Sequence, residues 1–338
     1  MRAPRAAAIA AALAFLIAAS PDDLRSALQS TAASYYRHAG AVASVAGADT
    51  VMDYYDRLID DAASLGERAP GRYPSGLWES TVHAASALDL SLATQLLQRS
   101  YQPMAEIRGL GETLVRSSKD GTMQPVAVYV PTSYSAQRPA PLILFLHGNQ
   151  QAESHLLAPQ YLRDLAERSG TIVVAPYARG AYDFRGVESD LDDAYEAANR
   201  AFTIDPRKRY LAGYSMGGFS VFRIAPLHPA EWSAVMSIAG SLLQSRSGLL
   251  LSTMPQNVRY YIVTGSGDDN VPTLWPTETA IFLRETGRPV SFYAQRDGTH
   301  ALYTLQPALS QAWNDMERGV VRAPSGLTGA PNLPEAAP

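Results

Sequence analysis

The chain has 338 residues, 46% of them hydrophobic, and a formal net charge of −4. That length supplies core for one large or two ordinary domains. There is no basic stripe to serve as an electrostatic footprint for nucleic acid, and the slight acidity selects no cationic ligand. With no cysteine in the chain, a disulfide framework, a lipid-modified N-terminal cysteine and thiolate metal sites are excluded, so the core must hold the fold.

Residues 1–20 read as a signal peptide. Arg2 and Arg5 make a positive start, Ala6 to Ala19 is apolar but too short to span a bilayer comfortably, and Ala18-Ala19-Ser20 offers small residues for cleavage. Pro21 is a poor residue to follow a cleavage point, and the alternative reading is a buried N-terminal helix. A signal peptide implies export, to a periplasm or to the outside, with no stable membrane span once it is removed.

Residues 21–105 read as a helical extension of two or three helices. Val51, Met52, Tyr55, Leu58, Ile59 and Ala62 share one face, as do Leu88, Leu92 and Leu96, and Pro70 to Gly76 is a loop between them. Packing is the expected role of this extension. The alternative is a lip over an active site that supplies Tyr73 or Trp78 to a substrate.

The period then changes. Thr113 to Arg116 and Val126 to Val130 predict a hairpin about Lys119-Asp120-Gly121, closed by Pro131. Short, nearly continuous apolar runs follow at Leu142–Leu146, Ile172–Ala175, Tyr210–Ala212, Ala234–Ile238, Tyr260–Val263 and Val290–Tyr293, as expected of strands buried on both faces of a parallel sheet. Helical patterns separate them at Tyr161–Arg168, Leu191–Phe202, Gly217–Leu227, Thr277–Glu285 and Leu305–Met316. This alternation predicts an α/β fold over residues 106–322, a mostly parallel central sheet with helices on both faces. Residues 323–338, rich in Pro, Gly and Ala, read as a disordered tail.

Gly213-Tyr214-Ser215-Met216-Gly217 lies where an apolar strand meets a helix start, the context of a nucleophile elbow. A serine hydroxyl is a poor nucleophile near neutral pH and needs a base within hydrogen-bond reach, with a third group to orient that base. His300, past the last strand and before the last helix, is the expected base. His38, His83, His147, His155 and His228 are less suitably placed, and His147 reads as a structural histidine. The acid falls in Gly265 to Pro272, where Asp268 is preferred and Asp269 is the reserve; an Asx turn or helix cap is the competing role for either. Negative charge developing on an attacked carbonyl needs fixed donors. The backbone N–H of Met216 is the first expected, and the N–H of Asn149, with Gln150 in reserve, is the second. Acyl-pocket side chains are expected on loops such as Tyr177 to Phe184 and Ser241 to Thr253, and at Trp275.

Taken together, His147-Gly148-Asn149-Gln150-Gln151, Ala178-Arg179-Gly180, Asp205 to Tyr210, Gly213 to Gly218, His228-Pro229, Gly265 to Pro272 and Gly298-Thr299-His300 resemble secreted α/β-hydrolase esterases. The likeness is to the polyhydroxybutyrate depolymerase and feruloyl esterase type and to prolyl-oligopeptidase-like hydrolases, and it covers roughly Thr113 to Arg318. It implies a Ser-His-Asp carboxylic-ester hydrolase that uses no cofactor and no metal, working through Ser215, His300 and Asp268 on a small-molecule or polymer-linked ester. The chain departs from that pattern at Thr264-Gly265, where relatives often carry histidine-glycine, and in lacking their cysteines. The same residues would also serve a prolyl-oligopeptidase-like peptidase or an acyltransferase, and the scaffold could carry a non-catalytic binding protein.

Overall fold

The computed structural model describes residues 3–65, 75–242 and 255–322. Tyr73, most of the segment Ser241 to Thr253 and the tail 323–338 fall outside those residues, as does the side chain of Trp78. By contacts the chain divides into two units, Met1–Pro206 and Arg207–Pro338.

The first unit begins with five helices, α1 (Ala3–Ala18), α2 (Pro21–Arg37), α3 (Ala39–Ala46), α4 (Ala48–Ser64) and α5 (Ser75–Leu97). Four of them fall between residues 21 and 97, where the sequence suggests two or three. The extra breaks are local: Gly47, at φ 91°, separates α3 from α4, a backbone conformation that other residues adopt only under strain. Pro21, awkward after a cleavage point, is the first residue of α2. There its missing N–H is no loss, and the Ser20 hydroxyl accepts from the Asp23 N–H at 3.2 Å.

On α4 the buried face is rotated from the one that hydrophobicity alone picks out. Met52 and Ile59 are 51% and 43% exposed, whereas Val51, Tyr54, Leu58, Asp61 and Ala62 are buried. Tyr54 and Asp61 turn inward because polar partners wait there, and that compensation is what lets polar groups leave water. Helix α5 is buried on nearly every side from Ala84 to Leu96 and packs against α1, α2 and α4.

The strands of this unit are β1 (Gly109–Arg116), β2 (Met123–Val130), β3 (Ala140–Leu146) and β4 (Ile172–Pro176), in the spatial order β1-β2-β4-β3. The hairpin β1/β2 is antiparallel and pairs Gly109 with Val130 through Arg116 with Met123; β2/β4 is antiparallel and β3/β4 parallel. Strands β2, β3 and β4 are buried throughout, so neither face of these runs needed polar residues. Helices α6 (Glu153–Leu157), α7 (Gln160–Ser169) and α8 (Glu188–Ala201) complete the unit.

Strand β5 (Ile204–Tyr214) leads into the second unit. There it is followed by α9 (Met216–Ile224), β6 (Ala234–Ile238), β7 (Arg259–Gly265), α10 (Leu274–Glu285), β8 (Val290–Gln295) and α11 (Gln306–Arg318). The order is β5-β6-β7-β8, all parallel, with Tyr214 level with Ile238, and Gly265 with Gln295. Parallel strands carry the chain ends that follow them to one edge, which is where Ser215, the 266–272 loop and the 296–301 loop gather.

Candidate active site

Ser215 sits between β5 and α9 at φ 52°, ψ −116°, a conformation that a residue with a Cβ holds only when its surroundings force it. The forcing is visible. The Ser215 N–H donates to the Ile238 carbonyl at 2.8 Å, and Phe219 N–H donates to the Ser215 carbonyl at 3.0 Å. The backbones on either side of the turn approach so closely that a Cβ on Gly213 would lie 2.2 Å from the Gly217 carbonyl oxygen.

The loop after β7 holds Asp268, and the loop after β8 holds His300. They are stapled together by the Gly267 N–H, which donates to the Gly298 carbonyl at 2.8 Å, and by contact at Gly265, where a Cβ would stand 2.1 Å from that same oxygen. Asp268 is fully buried at its side chain, and its Oδ1 accepts the N–H groups of Asn270 at 2.9 Å and Val271 at 2.8 Å. Its Oδ2 lies 2.9 Å from His300 Nδ1, while His300 Nε2 lies 2.8 Å from Ser215 Oγ. A carboxylate only accepts, so the ring proton belongs on Nδ1; Nε2 then offers its lone pair to the serine hydroxyl. Ser215, His300 and Asp268 thus form one chain of hydrogen bonds, whereas Asp269 is exposed. The Asx turn that competes as a role for Asp268 is also present, and it is what pins the carboxylate.

Other residues singled out from the sequence fall as follows. Met216 is the first residue of α9. Asn149 and Gln150 form an exposed turn after β3, with Gln150 at φ 58°, and the neighbouring Gly148 N–H donates to Gln151 Oε1 at 3.1 Å. His147 is 1% exposed, with Nδ1 2.9 Å from the Gly148 carbonyl and Nε2 3.1 Å from the Tyr177 carbonyl; a neutral ring has one N–H to share between them. Trp275 is half-buried at the start of α10. Arg179, quoted above only as part of a motif, has a role in the first unit. At φ 59° it bonds Asp190 through Nε (2.6 Å), Asp120 through Nη1 (2.5 Å) and Ser117 through Nη2 (2.9 Å), tying the β1/β2 turn to the loop after β4. The Arg179 guanidinium holds the exposed Asp120 carboxyl well below the usual range.

The sequence reading missed a buried acidic cluster in the first unit. Asp89 on α5, Glu112 on β1 and Glu153 on α6 place carboxylate oxygens within 4.8 Å of one another, a spacing that a divalent cation could use. A cation of the chain's own is already there: Arg57 forks onto Glu153 at 2.7 and 3.0 Å and lies 3.5 Å from Asp89. Tyr54 O–H donates to Glu112 Oε1 at 2.5 Å, and Ser154 O–H to Asp89 Oδ2 at 3.2 Å. Asp61 faces Asp89, and Glu112 faces Glu153, carboxyl to carboxyl. Such a pair makes a hydrogen bond only if one member keeps its proton, which accounts for Asp61 Oδ2 and Glu112 Oε2 being buried without a donor. Burial pushes the carboxyls of Asp61 and Glu112 well up, and that of Asp89 to about 6.

A sequence model of the family described as Esterase matches residues 117–313. The chain belongs to that esterase family. Among curated relatives, a bifunctional acetylxylan esterase/xylanase of Neocallimastix patriciarum is 27% identical over 111 residues, 31% of this chain and 16% of that protein. Feruloyl esterase C of Aspergillus oryzae is 28% identical over 127 residues, 35% of this chain and 47% of that protein. The matched stretch therefore spans less than half the length of either relative. Among solved structures, a ferulic acid esterase of Anaeromyces mucronatus superposes with a TM-score of 0.52 at 16% identity, over 62% of this chain and 89% of the other. The esterase-family chain thus has the α/β-hydrolase fold, a mostly parallel sheet with helices, preceded by a helical N-terminal region.

Proposed function

We propose that this chain is a serine hydrolase of carboxylic esters that works through an acyl-enzyme. The observation that carries the reading is the continuous hydrogen-bond chain from Ser215 Oγ through His300 to Asp268, at 2.8 and 2.9 Å, on a strained strand-to-helix turn. His300 Nε2 takes the proton as Ser215 Oγ bonds to the ester carbonyl carbon, and Asp268 stabilises the imidazolium that results. As the tetrahedral intermediate collapses, the carbon–oxygen bond to the alcohol breaks and His300 returns the proton to the departing alkoxide. Water then attacks the acyl-serine in the same way, with His300 again accepting and returning one proton, and the acid leaves. The N–H of Met216, at the positive end of α9, is the first oxyanion donor in this reading; Asn149, with Gln150 in reserve, is the second on the strength of its place in the chain.

Labelling tests this directly. A fluorophosphonate or phenylmethylsulfonyl fluoride will add one adduct mass at Ser215, and short p-nitrophenyl esters will be hydrolysed. An unchanged intact mass together with untouched esters would overturn the reading.

We further propose that the chain is exported, with residues 1–20 as its signal and 106–322 as its catalytic domain. Helix α1 has 16 residues, about 24 Å of rise against a hydrocarbon layer of about 30 Å. Among the described residues no helix is long and apolar enough to cross a membrane. The mass of the protein recovered from the periplasm or medium is expected to lack α1; recovery only in the cytoplasm with α1 intact would refute export.

A further inference from the structure

We propose that Tyr214, the residue before the nucleophile, is a positioning residue for His300; the inference rests on the reading of Ser215, His300 and Asp268 given above. Tyr214 is the last residue of β5 and is 5% exposed, its backbone held in register with Ile238. Its hydroxyl donates to the main-chain carbonyl of His300 at 2.7 Å, and its ring lies 5.6 Å from the imidazole, centroid to centroid, at 33°. The strand that delivers the nucleophile therefore also grips the base.

The two supports of His300 do different work. Asp268 meets Nδ1 and sets the rotation and tautomer of the ring. It cannot fix where the histidine's backbone stands. Around that backbone, the Gly298 carbonyl accepts from Gly267, Thr299 N–H donates to Thr304 Oγ1 at 2.9 Å, and the Ala301 carbonyl accepts from Thr304 N–H at 2.9 Å. These contacts hold the residues on either side of His300, and the Tyr214 hydroxyl holds His300 itself. Because β5 continues into Ser215 with no intervening residue, any drift of the His300 loop is measured against the nucleophile's own strand. A displacement of about 1 Å between reacting groups lowers a rate by as much as about 100-fold, so the bond acts on the Oγ–Nε2 distance without touching either atom.

The test compares Tyr214→Phe with Tyr260→Phe. Tyr260 also donates its hydroxyl to a main-chain carbonyl in the same unit, that of Pro255, at 2.8 Å, and lies outside the hydrogen-bond chain. With a short p-nitrophenyl ester, Tyr214→Phe is expected to lower kcat about 10- to 100-fold with little change in KM, and to slow fluorophosphonate labelling in parallel. Loosening the contact of Nδ1 with Asp268 weakens support for the imidazolium, so the acid limb of the kcat/KM profile should move to lower pH. The downfield Nδ1 proton resonance should broaden. Tyr260→Phe should change melting temperature only. A Tyr214→Phe protein with wild-type kcat and an unmoved acid limb would overturn the inference, as would a loss of kcat that Tyr260→Phe reproduces for the same loss of stability. Should the Phe variant fail to fold, Tyr214→His, whose ring is too short to reach the carbonyl, takes its place with the same two outcomes. A wild-type protein that neither takes label nor cleaves ester overturns the reading of the site and this inference together; an active wild type with an indifferent Tyr214 overturns this inference alone.

Discussion

Replacing Ser215 by alanine is expected to lower kcat/KM for ester hydrolysis by about four to six orders of magnitude while leaving the folded chain intact. The size follows from the proposed mechanism: with no Oγ to attack, His300 and Asp268 would have nothing to activate, and only the surroundings of the carbonyl would remain. The indifference of stability follows from the site. Ser215 Oγ makes one hydrogen bond in a partly exposed position, worth about 0.5–1.5 kcal/mol net, and alanine keeps the Cβ for which the turn is already strained. Ser215→Gly should be the more stable of the two inactive variants, because glycine holds φ 52° freely. Urea midpoints beside p-nitrophenyl ester kinetics check both. Residual turnover within about tenfold of wild type would mean that another residue is the nucleophile.

The parallel strands were legible because burial on both faces makes them continuous apolar runs between glycine- and proline-rich loops, as at Leu142–Leu146 and Ala234–Ile238. That Ser215, Asp268 and His300 gather at one edge was legible by chain order, since in a parallel sheet successive loops reach the same edge. Which of Asp268 and Asp269 faces inward was not fixed by that order. It depends on two backbone N–H groups, those of Asn270 and Val271, folding back onto Oδ1. Tyr214 escaped notice for a similar reason: its hydroxyl acts on a main-chain carbonyl 86 residues away, and no local pattern carries such a contact. The helical region was read less well, because hydrophobicity marks apolar faces and α4 buries Tyr54 and Asp61 in place of Met52 and Ile59. Charged groups enter a core only in mutual company, and their partners, Asp89, Glu112 and Glu153, are spread over three further elements.

That company makes Arg57 the residue whose loss should most damage the first unit. Its side chain is 12% exposed, Glu153 and Asp89 are fully buried, and its guanidinium also stacks 4.0 Å from the Tyr177 ring centroid and 4.9 Å from that of Tyr54. Arg57→Met keeps much of the stem and removes the charge, leaving two buried carboxylates uncompensated; breaking a buried pair in this way costs about 3–5 kcal/mol. Adding Glu153→Gln should recover part of that loss, since the two residues share one interaction. The pH dependence has a definite sign. Burial raises Asp61, Asp89 and Glu112 in the folded state, Asp89 to about 6, despite the opposing pull of Arg57 on all three. The stability they contribute is complete below the ordinary carboxylate range of about 4 and is lost as pH rises through their folded values. Glu153 runs the other way: burial raises it, but the Arg57 charge and hydrogen bonds outweigh that and lower it, so its share is lost only as pH falls through its folded value. Of the neighbouring ionisable groups, His155 is pushed down to about 4 by burial and the buried tyrosines Tyr35 and Tyr54 upward, leaving all three neutral across the range that matters. Removing Arg57 strips away the one group that lowers all four acids, so Asp61, Asp89 and Glu112 rise further and Glu153 loses what holds it down. The destabilisation by Arg57→Met should then be larger at pH 8 than at pH 5, while Glu112→Gln, which fixes one acid in its neutral form, should flatten the alkaline decline. Urea midpoints across that interval decide it: a cost for Arg57→Met that is equal at both ends, or greater at pH 5, would show that the guanidinium is not what holds these carboxylates together.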